Sequence, residues 1–180
     1  MSNGIGAKAR VIITESCHRN CPNCANTQSR TIAAIKNLYS IEELDRFDEV
    51  IITGGEPMLV PDEVAALIQE IRKQKSTRKI FLYSAAIFDM QEFTDIVDIV
   101  DGLHYTIHSP ASNKDIQDFQ LVQSILAEFR GQEKSFRLYI QEGVQQNILL
   151  NTSVWSRIEL KPWQEDCPIP EGEELLLWKG

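Results

Sequence analysis

Three cysteines, Cys17, Cys21 and Cys24, are separated by three and two residues and follow the hydrophobic run Val11-Ile12-Ile13. Further on, a second run, Val50-Ile51-Ile52, leads into Thr53-Gly54-Gly55-Glu56-Pro57. Cysteines so close in sequence cannot staple distant parts of a fold, so ligation explains them better than disulfides. Three thiolates bind three irons of a cubane [4Fe-4S] cluster and leave the fourth iron without a protein ligand. Such an iron is built to hold a small ligand as well as to pass electrons. A zinc site completed by Cys167 or His18, as a zinc-stabilised interaction module, is the rival reading of the same cysteines. It lacks the usual paired two-residue spacings, and it has no use for the glycine turn. Cys167, far from the triplet, is expected to be a free tail cysteine.

Residues that do chemistry must be held by regular elements, and apolar runs alternate with amphipathic stretches along most of the chain. Strands are predicted at Val11-Ile12-Ile13, Glu49 to Thr53, Lys79 to Ser84, Leu103 to His108, Ser135 to Gln141 and Val154 to Leu160. A short helix is predicted over Thr31 to Leu38, and another opens at Ser40-Ile41-Glu42-Glu43 with the pattern of a capping box. Longer helices are predicted from Pro61, over Asp89 to Val100, and over Asn113 to Phe129, the last ended by Gly131. Strands joined by helical crossovers form parallel sheets. The fold class is therefore α/β, an incomplete (β/α)6 barrel of mostly parallel strands, with a flat doubly wound sheet as the alternative.

In either architecture function collects beyond the carboxyl ends of the strands. The polar candidates obey that rule. The cysteines follow the first strand and Gly54-Gly55-Glu56 the second. Ser84 ends the third, His108-Ser109 the fourth and Glu142 the fifth, and Lys161 follows the sixth.

The chain has 180 residues, 43% hydrophobic and 24% charged, enough for one domain with an adequate core. That domain is expected to span residues 1–180, with a barrel core over 8–161. The tail 162–180, with its prolines and acidic residues, is expected to lie on the surface without adding a core element. A net charge of −8 argues against free nucleic acid as a partner. No segment offers the ~18 uninterrupted apolar residues of a membrane span, and no signal peptide is evident, so a cytoplasmic protein is expected.

The run Cys17-His18-Arg19-Asn20-Cys21-Pro22-Asn23-Cys24, together with Gly54-Gly55-Glu56-Pro57, resembles the radical S-adenosylmethionine superfamily. The resemblance extends over most of the chain. It implies an enzyme in which Cys17, Cys21 and Cys24 hold a [4Fe-4S] cluster whose open iron chelates S-adenosylmethionine. One electron then cleaves the sulfonium to methionine and a 5′-deoxyadenosyl radical, which abstracts hydrogen from substrate. Gly54, Gly55, Glu56 and Pro57 would lie at the methionine end. Ser84, His108, Ser109 and Glu142 would contact ribose or carboxylate, and the backbone around Asn23 and Leu160 would flank adenine. Many members carry an aromatic residue where this chain has Asn23, which departs from the adenine contact.

The wording Cys21-Pro22-Asn23-Cys24-Ala25-Asn26 is closer to small activating enzymes that install a glycyl radical in a partner protein, and the short length points the same way. That implies a glycyl radical enzyme as partner and a reductase or flavodoxin-type electron donor. Modification of a small metabolite, such as a nucleotide or deazaguanine precursor, is the alternative within the family. A non-catalytic iron–sulfur or zinc module is the alternative outside it.

Several residues also have plain structural readings. His104 is expected to be hydrogen-bonded within the interior, and Glu142 suits a cap as well as a ligand contact. Trp155, Trp163 and Trp178 are expected to pack. Arg72, Lys73, Lys75, Arg78 and Lys79 are expected to form a solvated helix end.

Overall fold

A computed structural model describes residues 7–21, 24–75, 77–144, 148–162 and 169–180. Among these residues eight strands form one all-parallel sheet: β1 (Lys8–Thr14), β2 (Lys36–Leu38), β3 (Glu49–Gly54), β4 (Lys79–Ser84), β5 (Gly102–Ile107), β6 (Ser135–Gln141), β7 (Arg157–Lys161) and β8 (Glu173–Trp178). Their spatial order is β2-β8-β1-β3-β4-β5-β6-β7, and the sheet is open, with β2 and β7 at its edges. Among the described residues four α-helices accompany them: α1 (Ser29–Ala34), α2 (Pro61–Gln74), α3 (Met90–Ile99) and α4 (Asn113–Glu128).

Alternation along the strands decides which residues meet the helices. Ala9 and Val11, Val50 and Ile52, Ile80 and Leu82, and Leu103 and Tyr105 belong to one buried cluster. Val64, Leu67, Ile68 and Ile71 of α2, Phe93, Ile96 and Val97 of α3, and Phe119, Val122, Ile125 and Leu126 of α4 complete it. The helix starts are chemically marked. Pro61 occupies the first turn of α2, Asp89 caps α3 by accepting from the Gln91 and Glu92 N–H groups, and Ser112 caps α4. Gly131 follows α4 with φ +86°, a conformation glycine adopts without a Cβ penalty.

The opposite side of the strands carries a different chemistry. His104 stacks on Tyr83 at 4.1 Å between ring centroids, with Phe81 and Tyr139 edge-on to it. Cations roof these rings: Arg10 lies over Tyr83, Arg137 over Phe81 and Lys161 over Tyr139. Arg10 is itself ion-paired to Glu173. The expected interior hydrogen bond of His104 is not found at Nδ1, which is buried without a partner, so the ring is held by stacking.

Several expectations about the elements are corrected. The tail contributes core: Glu173–Trp178 is a strand between β1 and β2, paired with β1 from Lys8↔Glu173 to Ile12↔Leu177, and Leu175 and Leu176 are buried. Its prolines precede the strand, and its Leu175-Leu176-Leu177 run is the apolar stretch of a central parallel strand. The helix expected over Thr31 to Leu38 stops at Ala34, after which Lys36–Leu38 pairs with Leu176–Trp178. The sheet accordingly has eight strands among the described residues instead of six. The strand expected from Val154 begins at Arg157, because Thr152–Val154 is a 3-10 turn that buries Val154 and Trp155.

The Ser40 start is 3-10 as well, over Ile41–Arg46, with the Glu43 carboxylate accepting from the Ser40 N–H at 3.1 Å. Arg78 is no solvated helix end. It is 1% exposed, with one hydrogen bond to Asp45, while Nε and Nη1 are buried without partners.

Candidate functional site

Because every strand runs the same way, the C-terminal ends of β1, β3, β4, β5, β6 and β7 stand side by side in that order. The cysteine loop leaves β1 and is stitched at once to the turn that leaves β3. The Gly55 N–H donates to the Thr14 carbonyl at 2.7 Å, and the Glu56 N–H donates to the Ser16 carbonyl at 2.8 Å. This approach requires glycine. A Cβ on Gly54 would lie 2.3 Å from the Thr14 carbonyl oxygen, and one on Gly55 would lie 2.0 Å from that of Ser16. Gly54 also has φ +155°.

The far end of the cysteine triplet returns to the same turn. Ala25–Thr27 is a single 3-10 turn, and from it the Asn26 side-chain amide donates to the Gly54 carbonyl at 2.8 Å. The glycine pair thus receives the cysteine loop on both sides.

Glu56 is 2% exposed, and its carboxylate accepts three hydrogen bonds: from Ser84 Oγ at 2.8 Å, the Ala85 N–H at 2.9 Å and the Met58 N–H at 3.1 Å. It locks the end of β3 to the end of β4. Burial raises its pKa above the usual carboxylate range, and the donors from Ala85, Met58 and Ser84 oppose that shift. Pro57 begins a 3-10 turn through Leu59 and is buried. Ser84, proposed from sequence as a ligand contact, directs its hydroxyl to Glu56.

Cys17 is exposed, and Cys21 and Cys24 are half-buried. Partial burial raises the Cys17 thiol above its ordinary pKa; the Arg19 backbone N–H opposes this, and negative charge on Glu56, Cys21 and Cys24 adds to it. Among the described residues no three His, Cys, Asp or Glu side chains converge as a single metal ion requires. A cubane asks for another arrangement, one soft thiolate for each of three irons, and three accessible thiols on one loop suit that donor set.

His18 packs edge-on against Phe88 at 5.2 Å. Arg19 reaches across to β5 and α4, where Nη1 donates to Asp115 Oδ1 at 2.6 Å and Nη2 to the Pro110 carbonyl at 3.0 Å.

The remaining candidates lie around the rim. His108 follows β5; burial, helped by the positive charge of Arg19, lowers its pKa to about 4, and its Nδ1 is buried without a partner. Ser109 donates its N–H to Gln141 Oε1 at 2.6 Å and precedes Pro110 through a cis peptide bond. Glu142 is exposed, and its backbone N–H continues the β6–β7 pairing to the Lys161 carbonyl at 3.1 Å. Leu160 is also exposed. Asn23, Cys167 and Trp163 lie outside the described residues.

The sequence reading left Arg19, Asp115 and Gln141 without roles, and it used Asn26 only as wording. Asn26, two residues beyond Cys24, had a local signal. Arg19 and Asp115 had none, since their pairing depends on strand order.

A family model described as a 4Fe-4S single cluster domain, of a kind found in radical S-adenosylmethionine enzymes, matches residues 2–125. That span takes in the cysteine loop, the glycine turn and the ends of β3, β4 and β5. A comparison with curated proteins finds no match.

Proposed function

The chain belongs to the 4Fe-4S single cluster domain family, and from that premise we propose that it is a radical S-adenosylmethionine enzyme. One observation carries the reading: the loop bearing Cys17, Cys21 and Cys24 is hydrogen-bonded residue by residue to the Gly54-Gly55-Glu56 turn on the neighbouring strand. Three thiolates leave one iron of a cubane for an external chelating ligand, and the turn offers backbone groups beside it. The open parallel sheet is then the partial barrel of this enzyme class.

When bound, the cluster supplies one electron that splits the sulfonium into methionine and a 5′-deoxyadenosyl radical. The protein's part is to bind and to orient. Cys17, Cys21 and Cys24 hold the cluster. The Gly54 carbonyl, which accepts from the Asn26 amide, stands in the turn as an acceptor for the ammonium of the methionine moiety. Glu56 keeps the turn rigid by fixing it to β4. His108, held neutral by burial, and Ser109 stand at the end of β5 as the polar contacts for ribose, with Glu142 further along the rim.

The substrate proposed is a glycyl radical enzyme, to which the resemblance of Cys21-Pro22-Asn23-Cys24-Ala25-Asn26 points, served by a flavodoxin-type electron donor in the cytoplasm. Anaerobic reconstitution with iron and sulfide, followed by dithionite, is expected to yield 5′-deoxyadenosine from S-adenosylmethionine. Cys17→Ala, Cys21→Ala and Cys24→Ala are each expected to abolish it. No product from a loaded cluster refutes catalysis and leaves an electron carrier, while a colourless zinc protein refutes the cluster. Cleavage stimulated by a small metabolite, with no protein partner captured, overturns the activase assignment alone.

A further inference from the structure

We infer that Arg19 is a positioning residue of the cysteine loop, fastening the interval between Cys17 and Cys21 to the far wall of the site and so holding its own backbone N–H at the Cys17 sulfur, where it tunes the cluster. The second half of this inference rests on the cluster proposed above; the first half does not. The loop is tied near its start by the Ser16 carbonyl and beyond its end by Asn26, both to the β3 turn. Arg19 ties its middle in the opposite direction, to residues 91 and 96 positions away.

The anchor is firm. Asp115 gives Oδ1 to Arg19, while its Oδ2 accepts from the Ser112 N–H at 2.7 Å and the Ser112 hydroxyl at 2.8 Å. Both side chains of the pair are largely shielded, at 16% and 18% exposure, so the contact escapes most of the screening that weakens surface pairs. The planar guanidinium serves Asp115 and the Pro110 carbonyl together. The residue so fixed donates its backbone N–H to Cys17 Sγ at 3.5 Å. A hydrogen bond at a ligating sulfur favours the more negative state of a cluster, because hydrogen bonds at sulfur help set its reduction potential. Arg19 therefore stabilises the reduced form, in which the electron is held before transfer.

The test compares the wild-type chain with Arg19→Gln, Arg19→Lys and Asp115→Asn by two measurements. Amide hydrogen exchange over Cys17 to Cys24 in the protein without added iron is expected to quicken roughly tenfold in Arg19→Gln, the loss of one charged hydrogen bond, with the strands unchanged. Asp115→Asn should loosen the loop likewise. After reconstitution, Arg19→Gln should hold the same iron per chain, with its midpoint potential at a more negative value by redox titration. Arg19→Lys should restore protection and potential only in part, since it keeps an ion pair with Asp115 and loses the second arm of the fork to Pro110. Unchanged exchange in Arg19→Gln overturns the anchoring, and an unchanged potential overturns the influence on the Cys17 sulfur. Failure of the wild-type chain to assemble a cluster refutes the proposed function, and exchange still decides the anchoring.

Discussion

The Ser84 hydroxyl donates to the Glu56 carboxylate at 2.8 Å inside a site where Glu56 is 2% exposed. The carboxylate spends its acceptor capacity on Ser84, Ala85 and Met58, three donors spread over two strand ends. Its first duty is to hold the glycine turn in place, and any influence on a bound ligand passes through that turn.

Replacing Glu56 with Gln puts an amide among those donors, so one of its positions faces an N–H with an N–H. The expected loss is about 1–3 kcal/mol of stability, read as a lower urea midpoint at unchanged slope. Ser84→Ala removes one donor and leaves the others, so it should cost less. Equal costs would mean that the contacts of the Ser84 hydroxyl with the Ala86 carbonyl at 3.1 Å and the Ala86 N–H at 3.3 Å matter as much as its bond to Glu56.

Gly55→Ala brings a methyl to 2.0 Å from the Ser16 carbonyl oxygen, a backbone atom that cannot rotate away. The turn or the cysteine loop must shift, at a cost of about 1–3 kcal/mol. Because Ser16 directly precedes Cys17 in the loop, iron incorporation should fall as well. Full iron loading at wild-type stability would show that the loop yields freely.

His104 governs acid behaviour. Burial, with the nearby positive charges of Arg137, Arg10, Lys8 and Lys161, lowers its pKa to about 3. An unfolded histidine titrates near ~6.5. Between those values the unfolded chain binds the proton and the folded chain does not, so stability falls as pH falls. By pH 5 the loss is about 2 kcal/mol. His104→Phe keeps a ring to stack on Tyr83 and removes the titration, so its urea midpoint should fall less between pH 7 and pH 5. Parallel pH profiles for the two proteins would locate the acid sensitivity elsewhere. His108 shifts in the same direction but is partly exposed, so solvent screening makes its share smaller.

Leu176 lies on β8 between β1 and β2 and is 3% exposed. Leu176→Ala should cost about 2–5 kcal/mol, the range for a leucine deleted from a packed core. Leu149→Ala, at 79% exposure, should change the unfolding midpoint little and serves as the control. A neutral Leu176→Ala would mean that β1 does not depend on its outer neighbour.

Local pattern alone settled the chemistry-bearing elements: the thiol triplet after an apolar run, the glycine turn after another, the three long helices and the strand ends that collect the polar residues. These signals repeat within a few residues, at a period of two or 3.6, or sit in a single turn whose backbone needs glycine. What the tertiary structure decided lies between segments far apart in the chain. It placed Glu173–Trp178 beside Lys8–Thr14 and so made Lys36–Leu38 a strand. It turned Glu56 into the lock on Ser84, and it brought Arg19 to Asp115. A short strand gains its identity from the partner that satisfies its N–H and C=O groups, and an ion pair from the order in which strands assemble. Neither partner is visible in the residues around it.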